Sequence, residues 1–216
     1  MSAYFVTATG TDIGKTFVTA GLVRHLRAQG RAVRALKPII SGIDDLAASD
    51  TGMLLAALGE PIDEASVARL SPWRFKEPLS PDMAAAREGR TVPFDDLVAF
   101  CRDAVRDDTL FIEGVGGILV PLDGHRTVRD WARALDLPLI VVAGSYLGTI
   151  SHTLTALEAM AGLNIAALVL NESETSPVPL AETAATLARF APGIPIVPVP
   201  RDAAPEDFAL LARTLI

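Results

Sequence analysis

The sequence predicts an α/β protein: a doubly wound, mostly parallel sheet with helices on both faces, as a single domain over residues 1–216. Three observations carry this reading. Short apolar, β-rich runs alternate with longer stretches of helical periodicity, which implies right-handed strand–helix–strand crossovers. Runs such as Leu139-Ile140-Val141-Val142-Ala143 are continuously apolar, as in strands buried on both faces. The first run passes through a turn of small residues into Gly14-Lys15-Thr16 and then a helical pattern.

The elements follow in order. Tyr4-Phe5-Val6 lies in a strand over about 3–8, and Val18, Leu22, Val23 and Leu26 mark a helix near 15–29. A second strand, about 32–37, closes at Lys37, and a helix near 49–58 opens at Ser49-Asp50. Residues 60–93 carry Pro61, Pro72, Pro78, Pro81 and Pro93 with weak periodicity, and read as an excursion over one end of the sheet. A helix near 94–106 precedes the strand 109–113. Helices near 127–136, 148–162, 179–191 and 205–215 then alternate with strands over about 138–143, 165–170 and 195–199.

Composition narrows the classes. Half of the 216 residues are hydrophobic, enough for one sizeable core. The net charge of −7 and the lack of a basic run argue against nucleic acid or an anionic membrane surface as partner. No apolar run approaches the roughly 20 residues of a membrane span, and the start reads as a strand, not a signal segment. The expectation is a soluble, cytoplasmic protein. Cys101, the single cysteine, falls in an apolar helical stretch and reads as a buried, inert thiol. His25 and His125 read as solvated surface residues, and Trp73 and Trp131 as packing residues.

The opening turn is a phosphate-binding loop of the P-loop NTPase type. Backbone N–H groups and the positive end of the following helix face one point and can solvate a polyphosphate. Lys15 adds a mobile positive charge, and the Thr16 hydroxyl can ligate Mg²⁺. Thr9 stands where the usual first glycine falls. Gly10 stands where switch ATPases that partition DNA or position division sites carry a second lysine.

Ligands gather at the carboxyl ends of strands in such sheets, and those ends are chemically rich here. Lys37 closes the second strand and reads either as a snorkelling surface charge or as a site cation. Glu113 follows Thr109-Leu110-Phe111-Ile112 and precedes Gly114-Val115-Gly116-Gly117; it reads as a Mg²⁺ ligand or as a solvated carboxylate. Asp50 reads equally as a helix N-cap or a metal ligand. Asn171 ends the fifth strand.

Lys15-Thr16, Lys37-Pro38-x-x-Ser41-Gly42, Ser49-Asp50, Glu77-Pro78-x-Ser80-Pro81, Glu113-Gly114-x-Gly116-Gly117 and Leu147-Gly148-Thr149-Ile150-Ser151-His152 occur in one order. With these motifs the sequence resembles the dethiobiotin synthetases over nearly its whole length. The resemblance implies an ATP- and Mg²⁺-dependent ligase that adds CO₂ to 7,8-diaminopelargonic acid and closes the cyclic urea. It passes through a carbamate and its mixed anhydride with phosphate. The resemblance also implies a homodimer. It assigns Lys37, Lys15 and Thr11 to catalysis, and Thr16, Asp50 and Glu113 to Mg²⁺. Asp12, Ile13, Gly14, Lys15, Thr16 and Phe17 wrap the phosphates, with Gly114, Val115 and Gly116 alongside. Asn171, Pro200, Arg201 and Asp202 lie by the adenine. Ser41, Thr11, Lys37, Gly148 and Ser151 bind the diamine or its carbamate.

The chain departs from that family's pattern at Ala8, Gly10, Asp82, Tyr146 and Ser151, positions that bear on loop conformation and substrate-pocket polarity. Two other readings fit the residues less well. An amide-forming P-loop ligase acting on cobyrinic acid calls for a glutaminase nucleophile, and Cys101 sits in a helix. A nucleotide-switched partner protein calls for the second loop lysine, which is Gly10.

Overall fold

The computed structural model describes residues 2–43, 45–174 and 177–216. Among these the strands are β1 (Ser2–Ala8), β2 (Val33–Leu36), β3 (Ile39–Ser41), β4 (Trp73–Phe75), β5 (Thr109–Glu113), β6 (Leu139–Gly144), β7 (Ile165–Asn171) and β8 (Ile196–Val199). The helices are α1 (Lys15–Ala28), α2 (Asp50–Leu58), α3 (Glu64–Leu70), α4 (Pro81–Arg87), α5 (Phe94–Asp103), α6 (Val128–Leu135), α7 (Thr149–Ala159), α8 (Leu180–Phe190) and α9 (Ala209–Leu215).

The main sheet is parallel throughout, in the order β2-β5-β1-β6-β7-β8. The continuously apolar strands are the buried ones: every residue of β5 and β6 is buried, Glu113 included. The chain winds outward from β1 to β2, then back through β5 and on through β6, β7 and β8. Right-handed crossovers in opposite directions place their helices on opposite faces. The helix contacts agree, with α1 touching α2 and α9 while α5 touches α6 and α7 touches α8. Phe5 meets Trp131 edge to face at 4.8 Å, joining the central strand to α6.

The six strands expected from sequence are those of this sheet. The stretch 60–93 departs from it as expected, but it is not shapeless. It holds α3, β4 and α4, and β4 pairs with β3 in a second, two-stranded parallel sheet. Pro38, which has no N–H to donate, ends the β2 ladder and turns the chain toward β3. The last predicted helix is a 3₁₀ turn, Pro205–Phe208, followed by α9. Gly21 lies inside α1 because the Phe208 ring rests there; a Cβ at that position would stand 2.1 Å from it.

His25 is a correction. It is buried, with Nδ1 at 2.8 Å from the Pro205 carbonyl and Nε2 at 2.9 Å from Gln29. The 3₁₀ turn covers the face of α1 on which it sits. Cys101 is buried as expected, and burial pushes its thiol up to about 12.

Candidate active site

The loop after β1 is built to leave donors free. Gly14 caps α1 in the left-handed region, at φ 97°, and offers no side chain to the helix start. By contrast α2 and α3 begin with Ser49 and Asp63 accepting from their own N–H groups. The first amides of α1 therefore remain for a ligand, and the helix dipole favours an anion there. Asn171 Nδ2 donates to the Ile13 carbonyl at 3.0 Å and lies 2.2 Å from where a Gly14 Cβ would stand. Lys15 is buried, and its ammonium donates to the Gly10 carbonyl at 3.3 Å. Burial first, and then the like charge of Lys37, lower its pKa to about 8.

Beneath the loop three oxygen-bearing side chains and one ammonium converge. Glu113, at the end of β5, is fully buried. Its Oε1 accepts from Thr16 Oγ1 at 2.6 Å and from Lys37 Nζ at 2.7 Å. The same ammonium lies 2.8 Å from Asp50 Oδ2. These contacts exclude one member of each pair of readings above. Lys37 is 2% exposed, so it is no snorkelling surface lysine. Glu113 is not a solvated carboxylate. Ser49 caps α2, which frees the Asp50 carboxylate to face Lys37. Burial alone would lower the Lys37 pKa; the Glu113 and Asp50 carboxylates outweigh it and hold it above the usual lysine value. Burial would raise Asp50, but Lys37 holds its carboxyl below the usual range.

The donor set fits Mg²⁺. Thr16, Asp50 and Glu113 supply hard oxygens, and Glu113 Oε2 is buried without a hydrogen-bond partner. Among the described residues no group of three or more His, Cys, Asp or Glu side chains is placed to hold a metal. Mg²⁺ is commonly held by one or two carboxylates together with substrate phosphates, and Asp50 and Glu113 are carboxylates of that kind.

A cavity of about 740 Å³ opens above this floor. Of the residues expected at a site, it brings together Thr11, Asp12, Gly14, Lys15, Thr16, Phe17, Lys37, Ser41, Asp50, Val115 and Gly116. Gly114 lies beside it, its N–H on the Val6 carbonyl at 2.8 Å. Asn171 adjoins through Ile13. Pro200, Arg201 and Asp202 follow β8 outside the cavity lining, next to the end of β7, with the Arg201 N–H on Glu172 Oε2 at 3.1 Å. Gly148 and Ser151 lie at the start of α7, also outside that lining. Sequence reasoning missed an apolar wall formed by Ile40, Met53, Leu79 and Val120. The motif Glu77-Pro78-x-Ser80-Pro81 was its one signal, since Pro78, Ser80 and Pro81 also line the cavity.

A phosphate-binding loop on a parallel α/β sheet, with two lysines and Mg²⁺-type oxygen donors in one cavity, defines a nucleotide-using enzyme of the P-loop class. Comparisons narrow it further. A family model described as an AAA domain matches residues 2–201. The chain is 50% identical to the ATP-dependent dethiobiotin synthetase BioD of Acidiphilium cryptum (strain JF-5), covering 98% of this chain and 97% of that one. It is 48% identical to the protein of that name from Methylobacterium nodulans (strain LMG 21967 / CNCM I-2342 / ORS 2060), covering 93% and 94%. Among solved structures, chloroplast FtsY from Physcomitrella patens matches at TM-score 0.56 and 13% identity, covering 100% of this chain and 65% of that one. Signal recognition particle receptor FtsY from Elizabethkingia anophelis, in complex with GDP, matches at 0.54 and 14% identity, covering 95% and 58%. These two share the fold alone. The chain belongs to the ATP-dependent dethiobiotin synthetase family. No helix among the described residues is long and apolar enough to cross a membrane.

Proposed function

We propose that this chain carries out the ATP- and Mg²⁺-dependent carboxylation and ring closure of 7,8-diaminopelargonic acid, giving dethiobiotin, ADP and phosphate. The observation that carries the reading is the meeting of Lys15, Lys37, Thr16 and Asp50 in one cavity over Glu113, in a chain of this family. One amine of the diamine adds to CO₂ and loses a proton, giving a carbamate. A carbamate oxygen takes the γ-phosphoryl group as ADP leaves. The second amine attacks the carbamate carbon, phosphate leaves and the urea ring closes.

Each residue has a physical task. The N–H groups at the start of α1 and the Lys15 ammonium hold the phosphates. Thr16, Asp50 and Glu113 are the residues that would hold Mg²⁺, which when bound neutralises phosphate charge. Lys37 supplies a water-poor positive charge where negative charge builds between carbamate and phosphoryl group. Thr11 and Ser41 offer hydroxyls to the diamine or its carbamate, and the wall of Ile40, Met53, Leu79 and Val120 suits its methylene chain. Asn171 spends its amide N–H on Ile13. Its Oδ1, buried and unpartnered, suits the exocyclic amine of adenine, with Pro200, Arg201 and Asp202 alongside.

The start of α7 supports a homodimer. Gly148 leaves the first amides of that helix without a side-chain cap, and Leu147 is 80% exposed beside it. In a dimer that end, with Gly148 and Ser151, binds the carboxylate of the diamine. We place the enzyme in the cytoplasm, where its substrates are soluble anions and amines.

The test is phosphate release from ATP by the purified protein. Release should require bicarbonate and diaminopelargonate together. The product mass should equal the diamine plus CO₂ minus water. Equal ATP hydrolysis without either substrate would count against the assignment.

A further inference from the structure

Two buried hydroxyls outside every motif above lead to the backbone of Lys37. Ser71 Oγ donates to the Lys37 carbonyl at 2.6 Å, and Thr51 Oγ1 lies 2.6 Å from Ser71 Oγ. Both side chains are fully buried. A hydroxyl has one proton to give. Ser71 gives its own to Lys37, so Thr51 must donate to Ser71. The order Thr51 to Ser71 to Lys37 follows.

Lys37 needs this support. It lies between β2, which ends at Leu36, and β3, which begins at Ile39, and it precedes Pro38. No strand ladder fixes it. Its N–H goes to the Leu70 carbonyl at 3.2 Å and its carbonyl to Ser71. Both backbone groups are thus held by one segment, at the end of α3. Thr51 follows Asp50 at the start of α2, and Asp50 meets the Lys37 ammonium at 2.8 Å. The hydroxyl chain and this ion pair close a loop that ties α2, α3 and Lys37 into one unit.

We propose that Ser71 and Thr51 are positioning residues for the reaction: their hydroxyls fix the Lys37 backbone relative to Asp50, and so aim the ammonium. This rests on the reading of Lys37 as the group that stabilises the transferring phosphoryl. Misplacing such a group by about 1 Å can cost on the order of 100-fold in rate. Neither hydroxyl touches the phosphate loop, so nucleotide binding should be spared.

The experiment measures kcat, KM for ATP, ADP affinity and melting temperature for Ser71→Ala, Thr51→Val, Lys37→Met and the double variant Ser71→Ala/Lys37→Met. We expect Ser71→Ala to lose about 10- to 100-fold in kcat, with ADP affinity within about twofold of wild type. Thr51→Val, which keeps its shape and leaves the Ser71–Lys37 bond intact, should lose less in the same direction. If Ser71→Ala does not fold, Thr51→Val decides. In the Lys37→Met background Ser71→Ala should cause no further loss, because it acts through a side chain already removed. The proposal is overturned if both hydroxyl variants fold and keep wild-type kcat, if ADP affinity falls as much as kcat, or if the double variant shows the full multiplied loss. A Lys37→Met protein with normal turnover would instead refute the reading of Lys37 itself.

Discussion

Replacing Lys37 by methionine keeps a long unbranched side chain and removes the cation that faces Glu113 and Asp50. Breaking a buried ion pair by deleting one partner typically costs about 3–5 kcal/mol. Here the two halves differ. The Asp50 side chain is 43% exposed, so water can take over its half, whereas the Glu113 side chain is 0% exposed and cannot be rehydrated. The Lys37–Glu113 half sets the loss, which places it near the low end, about 3 kcal/mol. At roughly 2–4 °C per kcal/mol for a chain of this size, the melting temperature should fall by about 6–12 °C. The pH dependence has a definite sign. The folded Lys37 pKa lies above its unfolded value of 10.5, so its contribution is complete below that value and is lost only at higher pH. The folded Asp50 pKa lies below 3.8, so its contribution is lost only in acid. The deficit should therefore be flat across roughly pH 5–7, below the range where Lys15, its pKa lowered to about 8 by burial and then by Lys37, changes charge. Metal adds a second reading of the same melt. In wild type a divalent cation competes with the Lys37 ammonium for the carboxylates; in the variant it does not. Mg²⁺ without nucleotide should raise the variant's melting temperature more than that of wild type. Thermal unfolding by circular dichroism, with and without Mg²⁺, measures both effects. A variant melting within about 2 °C of wild type, well short of the shift expected for a buried pair, would refute the reasoning. So would equal stabilisation of the two proteins by Mg²⁺.

Lys15→Gln should weaken ATP binding and turnover together, because this ammonium serves ground state and transition state alike; normal ATP affinity with near wild-type rate would remove Lys15 from the phosphate site. Lys15 has a pKa of about 8 in the free protein, and bound phosphates favour its charged form, so nucleotide binding at pH 8 should take up a proton fraction. Calorimetry in buffers of different ionisation enthalpy should detect that uptake at pH 8. It should find almost none attributable to Lys15 near pH 6.5, where the group is already charged; equal uptake at both would contradict the assignment.

The main sheet was legible because most of its strands are apolar runs flanked by helical periodicity; β2, with Arg34 inside it, is the least regular. The second sheet was not. Strands of three residues, such as Ile39–Ser41 and Trp73–Phe75, are too short to display any period. The prolines around them hid α3 and α4. Lys37 and Glu113 were found by the rule that strand ends carry ligands, but sequence left their environment open, since a closing lysine reads alike whether buried or exposed. Ser49 and Asp50 are adjacent and both are good cap residues, so only the fold could show which one caps. His25, Thr51 and Ser71 were invisible for one reason. The contacts that bury or engage them, His25 with Pro205, Thr51 with Ser71 and Ser71 with Lys37, span 180, 20 and 34 residues, and no local pattern encodes them.

The strand order explains why a lysine serves at position 37. β1 lies at the reversal of winding, where α/β sheets form their ligand crevice. On one side stand β5 and then β2; on the other β6, β7 and β8. The side of β7 and β8 carries Asn171 and Pro200, the nucleoside end of the proposed site. The side of β5 and β2 carries Glu113 and Lys37, the reacting end. Register sets these level. Val6 pairs with Glu113 and Leu36 with Ile112, so Lys37 emerges beside Glu113 as its strand ends. Neighbouring strands stand about 4.8 Å apart, which puts β2 two spacings, about 10 Å, from the phosphate loop. A short side chain at the end of β2 would not extend toward the loop. A lysine reaches Glu113 Oε1, the same oxygen that Thr16 of α1 contacts. The site thus needs a long, compact cation from the second strand out. An arginine there would bring a planar fork too large for one carboxylate oxygen shared with a hydroxyl. Arg at 37 should therefore fail to restore the turnover lost with methionine.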